Sequence, residues 1–333
     1  MSRAAVIAGI GSSVPASVVT NETLAERLGA SDDWIRRLTG IGSRYWIEPG
    51  QATSDLAVEA GARAIESAAG EQPRAVVVAT TTPDRTCPAT APLVATRLGL
   101  QGAVAFDVGA VCSGFVYALA SGAGLIASGI ADSVVVIGAD TISTILDPAD
   151  RNTGVIFGDG AGAVILRAGE ATEPGALRAF DLGSDGAGAD LITVPAGGSR
   201  QRSVKEAPPK TETYLKMAGR EVFRESISHM VESCHTVLRR TGWTVDEVDR
   251  LVPHQAHLRI LHGVADRLGM PRERAVVDLD RVGNTSAASI PLALARAAAE
   301  GSVESGHNVL LTAFGGGLTW GSATLTWPEV KPV

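Results

Sequence analysis

Cys112, His254 and Asn284 are three reactive or hydrogen-bonding side chains, each set among small and apolar residues. Cys112 follows the run Ala105-Phe106-Asp107-Val108 through Gly109-Ala110-Val111 and precedes Ser113-Gly114-Phe115-Val116-Tyr117-Ala118-Leu119, so a strand should turn into a helix at the thiol. Unpaired N–H groups and the dipole at a helix start favour negative charge, hence thiolate over thiol and an anionic over a neutral carbonyl oxygen. That is a place for a nucleophile, although an isolated cysteine there is also a common packing residue. His254 follows the strand-like Arg250-Leu251-Val252, and strand ends are where α/β proteins gather their chemistry. Asn284 follows a third such run, Ala275 to Asp280, through Gly283 into the small-residue helix signal Thr285-Ser286-Ala287-Ala288-Ser289. It is presented much as the thiol is.

The elements around these residues repeat. Placing Cys112 over Asn284 sets an offset of about 172 positions. The run Arg74 to Thr80 then meets Arg250 to His254, and Ser133 to Ala139 meets Asn308 to Phe314. Two similar halves are therefore expected, residues 1–169 carrying the cysteine and residues 170–333 carrying the histidine and asparagine. Helical segments are expected at Leu56–Gly70, Ala91–Leu98, Ser113–Ser128, Ala218–Arg240, His257–Leu268 and Thr285–Glu300, alternating with strands in mainly parallel sheets. In the longest helix Val222, Phe223, Ile227, Met230, Val231, Cys234, Val237 and Leu238 recur at helical spacing as one buried stripe, which makes Cys234 a core residue. Leu182 to Thr213 has no strong period and should bridge the halves as a mobile wall of the site or a disordered linker.

With 333 residues, 45% of them hydrophobic, the chain can bury one large core or two fused ones. Its formal net charge of -7 argues against a nucleic-acid partner or an anionic-membrane surface. Three cysteines make no disulfide framework, the start is a short strand, and no apolar run is long enough to span a bilayer, which together read as a cytoplasmic protein. Gly9-Ile10-Gly11-Ser12-Ser13-Val14 lacks the third glycine of a dinucleotide fingerprint. Gly158-Asp159-Gly160-Ala161-Gly162 leads into a strand and is better suited to close backbone packing than to phosphate binding. His254, His257 and His262 have no cysteine or carboxylate cluster to complete a metal shell, and no metal or cofactor is expected.

The chain resembles the thiolase-like condensing enzymes, most closely the ketoacyl-acyl-carrier-protein synthase III family. The likeness runs nearly end to end. It rests on Ser31-Asp32-Asp33-Trp34-Ile35, Thr39-Gly40-Ile41, the Cys112 segment, Asp150-Arg151, Phe157-Gly158-Asp159-Gly160-Ala161-Gly162-Ala163, Met217-Ala218-Gly219, Pro253-His254-Gln255-Ala256, Gly283-Asn284-Thr285-Ser286-Ala287-Ala288-Ser289 and Phe314-Gly315-Gly316-Gly317. The resemblance implies an α/β class, a duplicated five-layer αβαβα fold and a homodimer. It implies acylation of Cys112 by an acyl-CoA, with the amides of Cys112 and Gly316 holding the oxyanion. Malonyl-acyl-carrier protein would then lose carbon dioxide, His254 and Asn284 would donate to the enolate oxygen, and the carbanion would attack the acyl group.

Further roles follow from the same resemblance. Trp34 and Arg151 would grip the adenine of coenzyme A, Phe223 would gate the tunnel beside the thiol or pack on its helix, and Arg224, Arg259 and Arg267 would meet the carrier protein. The chain departs from the family at Leu38, where relatives commonly carry arginine, at His257 in place of an asparagine that touches pantetheine, and at Asp266 in place of a lysine of the carrier patch. Cys87 replaces a bulkier aromatic at the end of the acyl pocket, contributed across the dimer, and leaves room for a primer larger than acetyl. Other readings stand beside this one. One keeps the acyl-Cys112 step but passes the acyl group to an alcohol, amine or carrier thiol, another is a partner subunit that keeps the fold without catalysis, and a remote one is a protease, since papain-like proteases also use a Cys–His–Asn set.

Overall fold

The computed structural model describes residues 3–204 and 206–333. Its strands are β1 (Ala4–Ser13), β2 (Ser17–Thr20), β3 (Ser43–Trp46), β4 (Ala75–Ala79), β5 (Val104–Val108), β6 (Ser133–Thr141), β7 (Asp159–Gly169), β8 (Leu177–Ser184), β9 (Ile192–Thr193), β10 (Lys216–Met217), β11 (Arg250–Pro253), β12 (Asn308–Gly315) and β13 (Thr319–Thr326). The α-helices are α1 (Asn21–Leu28), α2 (Asp32–Thr39), α3 (Thr53–Ser67), α4 (Ala91–Arg97), α5 (Gly114–Ala127), α6 (Arg151–Gly154), α7 (Ser199–Arg202), α8 (Gly219–Thr241), α9 (Leu258–Leu268), α10 (Leu279–Val282) and α11 (Ser289–Ala299). None of the described helices is long and apolar enough to cross a membrane.

Two sheets carry the architecture. One has the order β1-β7-β6-β4-β5 and the other β11-β12-β13-β8. Between them lie α5 and α11, whose Phe115, Val116, Leu119, Ile290, Ala293 and Leu294 pack with Val77, Val136 and Val164 of one sheet and with Val252, Leu311 and Ala323 of the other. Buried from both sides, α5 (GFVYALASGAGLIA) has no charged residue. The far face of the first sheet is covered by α3 and α4 through Leu56, Ala60, Ala91 and Val94, and the far face of the second by α8 and α9 through Met230, Cys234, Ile260 and Val264. The result is a five-layer αβαβα stack.

Several expectations change. The sheets are mixed: β4 runs parallel to β5 and β6, and β11 to β12, but β1, β7, β13 and β8 pair antiparallel. The β12–β13 pair turns back through Gly316, Gly317 and Leu318 without a crossover helix, so it must be antiparallel. The segment Ala275 to Asp280 is not a strand; it makes one isolated bridge, Leu251 to Ala275, before α10. Beyond that bridge the Gln255 side chain takes over the ladder's work, donating to the Pro253 and Val276 carbonyls and accepting from the Asp278 and Leu279 amides. Between Leu182 and Thr213 the chain forms the end of β8, β9 and α7, and β9 pairs with β10, so this wall is built rather than a linker. Phe223 leaves the α8 stripe: it is 37% exposed, while Val222, Ile227, Met230, Cys234, Val237 and Leu238 are buried as expected.

The repeat has a more consistent register than the cysteine–asparagine alignment. Val111 and Ser286 both take positive φ, 48° and 51°, at the head of short 3₁₀ turns, Val111–Ser113 and Ser286–Ala288, that feed α5 and α11. These features, and the starts of β4 with β11 and β6 with β12, align at an offset of about 175 positions. Cys112 therefore corresponds to Ala287, and Asn284 sits just before the second turn.

Asn284 is held by a backbone pairing of its own. Its N–H donates to the Ile156 carbonyl at 2.9 Å, and Gly158 N–H donates to its carbonyl at 3.0 Å. This approach needs a glycine, because a Cβ on Gly158 would lie 2.2 Å from the Val282 carbonyl oxygen. Gly158→Ala is expected to lower unfolding stability by about 3 kcal/mol, the range of an overpacked core site, measured by chemical denaturation.

Candidate active site

Cys112, His254 and Asn284 line one cavity of about 820 Å³. Cys112 arrives on the turn between β5 and α5, His254 just past β11, and Asn284 just before the second 3₁₀ turn. The remaining wall is largely apolar: Ile142, Ile145, Phe157, Leu215, Met217 and Phe314 extend it beyond the thiol.

Local hydrogen bonds set how each polar group faces the cavity. Ser286 N–H donates to Asn284 Oδ1 at 2.9 Å, which fixes the amide orientation and leaves the Nδ2 hydrogens as the side-chain donors. His254 N–H continues the ladder to the Thr312 carbonyl at 2.8 Å, and its Nδ1 lies 2.7 Å from Ser289 Oγ. Behind the cysteine, Ser113 Oγ and Thr319 Oγ1 lie 2.7 Å apart and both reach the Ala110 carbonyl, tying the nucleophile turn to the β12–β13 pair. Gly316 is buried in the turn between those strands, outside the cavity lining, and its carbonyl accepts from Thr319 Oγ1.

The two halves treat equivalent amides differently. Ala287 N–H donates to Asp140 Oδ2 at 3.1 Å, and the other oxygen of that buried carboxylate accepts from Thr80, Thr81 and Thr82. The position on β12 that matches Asp140 is Gly315. A Cβ there would lie 2.7 Å from the Cys112 nitrogen, so only glycine leaves room at the nucleophile's amide.

Burial dominates the electrostatics. It pushes the Cys112 thiol up to about 12, with the nearby Ser286 hydroxyl opposing the shift and the Asp140 charge adding to it. Loss of water at the thiol acts against the pull of the α5 N-terminus from which a thiolate was expected. Burial likewise lowers His254 to about 3, so the imidazole is neutral throughout the physiological range.

The other predicted residues divide by position. Trp34, Phe223, His257 and Arg259 line the cavity, and Leu38 does too. Arg151 stands over Trp34, its guanidinium carbon 4.5 Å from the ring centroid. His257 Nδ1 accepts from Arg259 N–H as the N-cap of α9, and burial followed by the nearby Arg259 charge lowers it to about 4. Arg224 is exposed and paired with Glu225, and Arg267 lies exposed in the last turn of α9, away from His257. Asp266 is held by Arg272. Cys87 is exposed and lies outside this chain's own cavity. Sequence reading missed Arg220, which lines the cavity from the first turn of α8; its position next to Met217-Ala218-Gly219 was the available signal.

Family models match two stretches: 3-oxoacyl-[acyl-carrier-protein (ACP)] synthase III over residues 106–186 and its C-terminal model over residues 238–327. A Streptomyces coelicolor protein named beta-ketoacyl-[acyl-carrier-protein] synthase III 5 is 58% identical over 330 residues, covering 99% of both chains. The crystal structure of 3-oxoacyl-(acyl carrier protein) synthase III from Pseudomonas aeruginosa matches with a TM-score of 0.93 at 50% identity, over 99% of this chain and 100% of that one. The priming beta-ketosynthase of the R1128 polyketide biosynthetic pathway matches with a TM-score of 0.91 at 32% identity, over 99% and 98%.

A thiol held near 12 is protonated at neutral pH, and its thiolate fraction climbs steadily with pH. Alkylation of Cys112 by iodoacetamide is expected to accelerate about tenfold per pH unit between about pH 7 and pH 9 without levelling off. A plateau below about pH 8, read by peptide mass spectrometry, would instead report a low-pKa thiolate.

Proposed function

The chain belongs to the 3-oxoacyl-[acyl-carrier-protein] synthase III family, and on that premise we propose that it condenses an acyl-CoA primer with malonyl-acyl-carrier protein through an acyl-Cys112 intermediate. The observation that carries this reading is the shared cavity, where a thiol, a neutral imidazole and an oriented carboxamide converge.

The steps balance with the substrates and one proton from solvent. Cys112 sulfur attacks the thioester carbonyl, the Cys112 amide and, as the family likeness implies, the Gly316 amide would hold the oxyanion, and coenzyme A departs with the proton the thiol gives up. Malonyl thioester then loses carbon dioxide, and the electron pair of the broken C–C bond becomes an enolate. Neutral His254 and the Asn284 amide donate to its oxygen without a competing protonation equilibrium. The enolate carbon attacks acyl-Cys112, a new C–C bond forms as the C–S bond breaks, and the Cys112 thiolate takes up a solvent proton as a 3-ketoacyl-acyl-carrier protein is released. No metal or redox cofactor enters this balance, and a coenzyme A donor fits a cytoplasmic reaction.

Binding roles follow position. The clasp of Arg151 over Trp34 would open to take an adenine between them, His257 and Phe223 would flank the pantetheine arm, and Arg224, Arg259 and Arg267, with Arg220, would face the acidic carrier protein. The apolar wall from Ile142 to Met217 suits a primer longer than acetyl. Within each chain, residues 1–169 would supply the nucleophile and residues 170–333 the two donors.

We further read the protein as a homodimer. In the first sheet β5 is an edge strand; its first residue Val104 is 41% exposed and Leu93 of α4 is 46% exposed. An uncovered apolar edge of this kind invites pairing with a second copy. Cys87, in the exposed segment before α4, would then reach the partner's acyl pocket. A monomer mass by light scattering would refute this pairing.

Intact-mass analysis after mixing with acyl-CoA donors, followed by malonyl-acyl-carrier protein, separates loading from condensation. Cys112→Ser is expected to lose loading by about 100-fold or more, whereas Asn284→Ala loads but releases carbon dioxide about 100-fold more slowly. Robust decarboxylation by Asn284→Ala would overturn the assigned role.

A further inference from the structure

Ser289 opens α11 with only 1% of its surface exposed, and it touches the catalytic imidazole rather than the cavity. Its Oγ lies 2.7 Å from His254 Nδ1 and accepts the Gln255 N–H at 3.3 Å. A hydroxyl has one proton to give and two lone pairs to receive. The Gln255 amide takes one lone pair. Were Nδ1 protonated, it would take the second, and the serine proton would be stranded in a dry site, because His254 and Gln255 are the only hydrogen-bond partners of this oxygen among the described residues. With Nδ1 bare, the serine proton goes to it and every polar atom is served.

We propose that Ser289 is a positioning residue whose hydroxyl donates to His254 Nδ1 and so holds the imidazole as the Nε2–H tautomer. The free N–H then lies on the ring edge away from Ser289, as a donor within the cavity that Cys112 and Asn284 share. A histidine fixed this way can steady an enolate oxygen, but its Nε2 has no lone pair with which to take the Cys112 proton. Ser289 therefore serves decarboxylation and not loading. The last step rests on the condensing function proposed above, whereas the tautomer does not.

Gln255 makes the arrangement rigid. Its backbone N–H supplies the bond to Ser289, while its side chain spans the Pro253 and Val276 carbonyls and the Asp278 and Leu279 amides. The serine acceptor site is thereby filled from the strand end that carries His254 itself, which leaves the hydroxyl proton one direction to point.

The test has two arms. In the wild-type protein, ¹⁵N NMR of labelled histidine is expected to show His254 with a bare, pyridine-type Nδ1 and a protonated Nε2; a protonated Nδ1 would overturn the proposal, whatever the substrate. In Ser289→Ala that signature is expected to be lost, and decarboxylation of malonyl-acyl-carrier protein by the acylated enzyme to fall about 30-fold. Loading from acyl-CoA should stay within about twofold of wild type. Ser289→Thr, which keeps the hydroxyl, should restore both the signature and the decarboxylation. Wild-type decarboxylation in Ser289→Ala, or an equal loss of loading and decarboxylation, would also overturn it. A wild-type enzyme that keeps the Nε2–H signature yet never decarboxylates malonyl thioester would sink the condensing function and leave the tautomer standing.

Discussion

Burial of the Cys112 and His254 side chains against one shared cavity is the constraint on which the site depends. The same burial that holds the thiol protonated keeps His254 uncharged. A wet site would favour the thiolate but would also let the imidazole gain a second proton near neutral pH, turning a fixed donor into a group with a competing charge state. Burial also raises the worth of every oriented N–H, because a donor in a low-dielectric site competes less with solvent. The site therefore relies on preorganised donors more than on an exposed resting thiol.

Preorganisation comes from the duplication being imperfect. Both halves present a residue of positive φ, a short 3₁₀ turn and a central helix, so both offer amides at the head of a buried helix. In one half Asp140 occupies the amide of Ala287 and welds the second turn to the first sheet. In the other, Gly315 leaves the equivalent place beside Cys112 without a side chain. One copy of the motif became a structural joint and the other stayed open for chemistry. The asparagine belongs to neither turn; it is carried by backbone pairing with Ile156 and Gly158, which gives the glycine-rich stretch near the centre of the chain a close-packing role.

Much of this was legible in order along the chain. Helical periodicity located α8 and marked Cys234 as core, β-branched runs located β4, β6, β11 and β12, and small residues before an apolar helix located the thiol. Three things were not. Strand direction in the outer parts of each sheet depends on whether a connection turns back or crosses over, which composition does not record. The missing fifth strand of the second sheet depends on Gln255, a side chain doing a ladder's work from outside the ladder. Phe223 sits at helical spacing with buried neighbours, yet the cavity beside it, not the helix, decides that it faces outward.

The amino-acid sequence by itself determined that two α/β halves are joined in one chain, that a cysteine begins a helix in the first, and that a histidine and an asparagine stand at comparable ends in the second, because local propensity and hydrophobic period act over a few residues. Only the tertiary structure decided that the three groups share one cavity, that burial opposes the helix end at the thiol, and that Ser289 is the contact of the imidazole. These outcomes depend on which distant atoms exclude water and which donor meets which acceptor. Such contacts join residues far apart in the chain, beyond the reach of any local pattern.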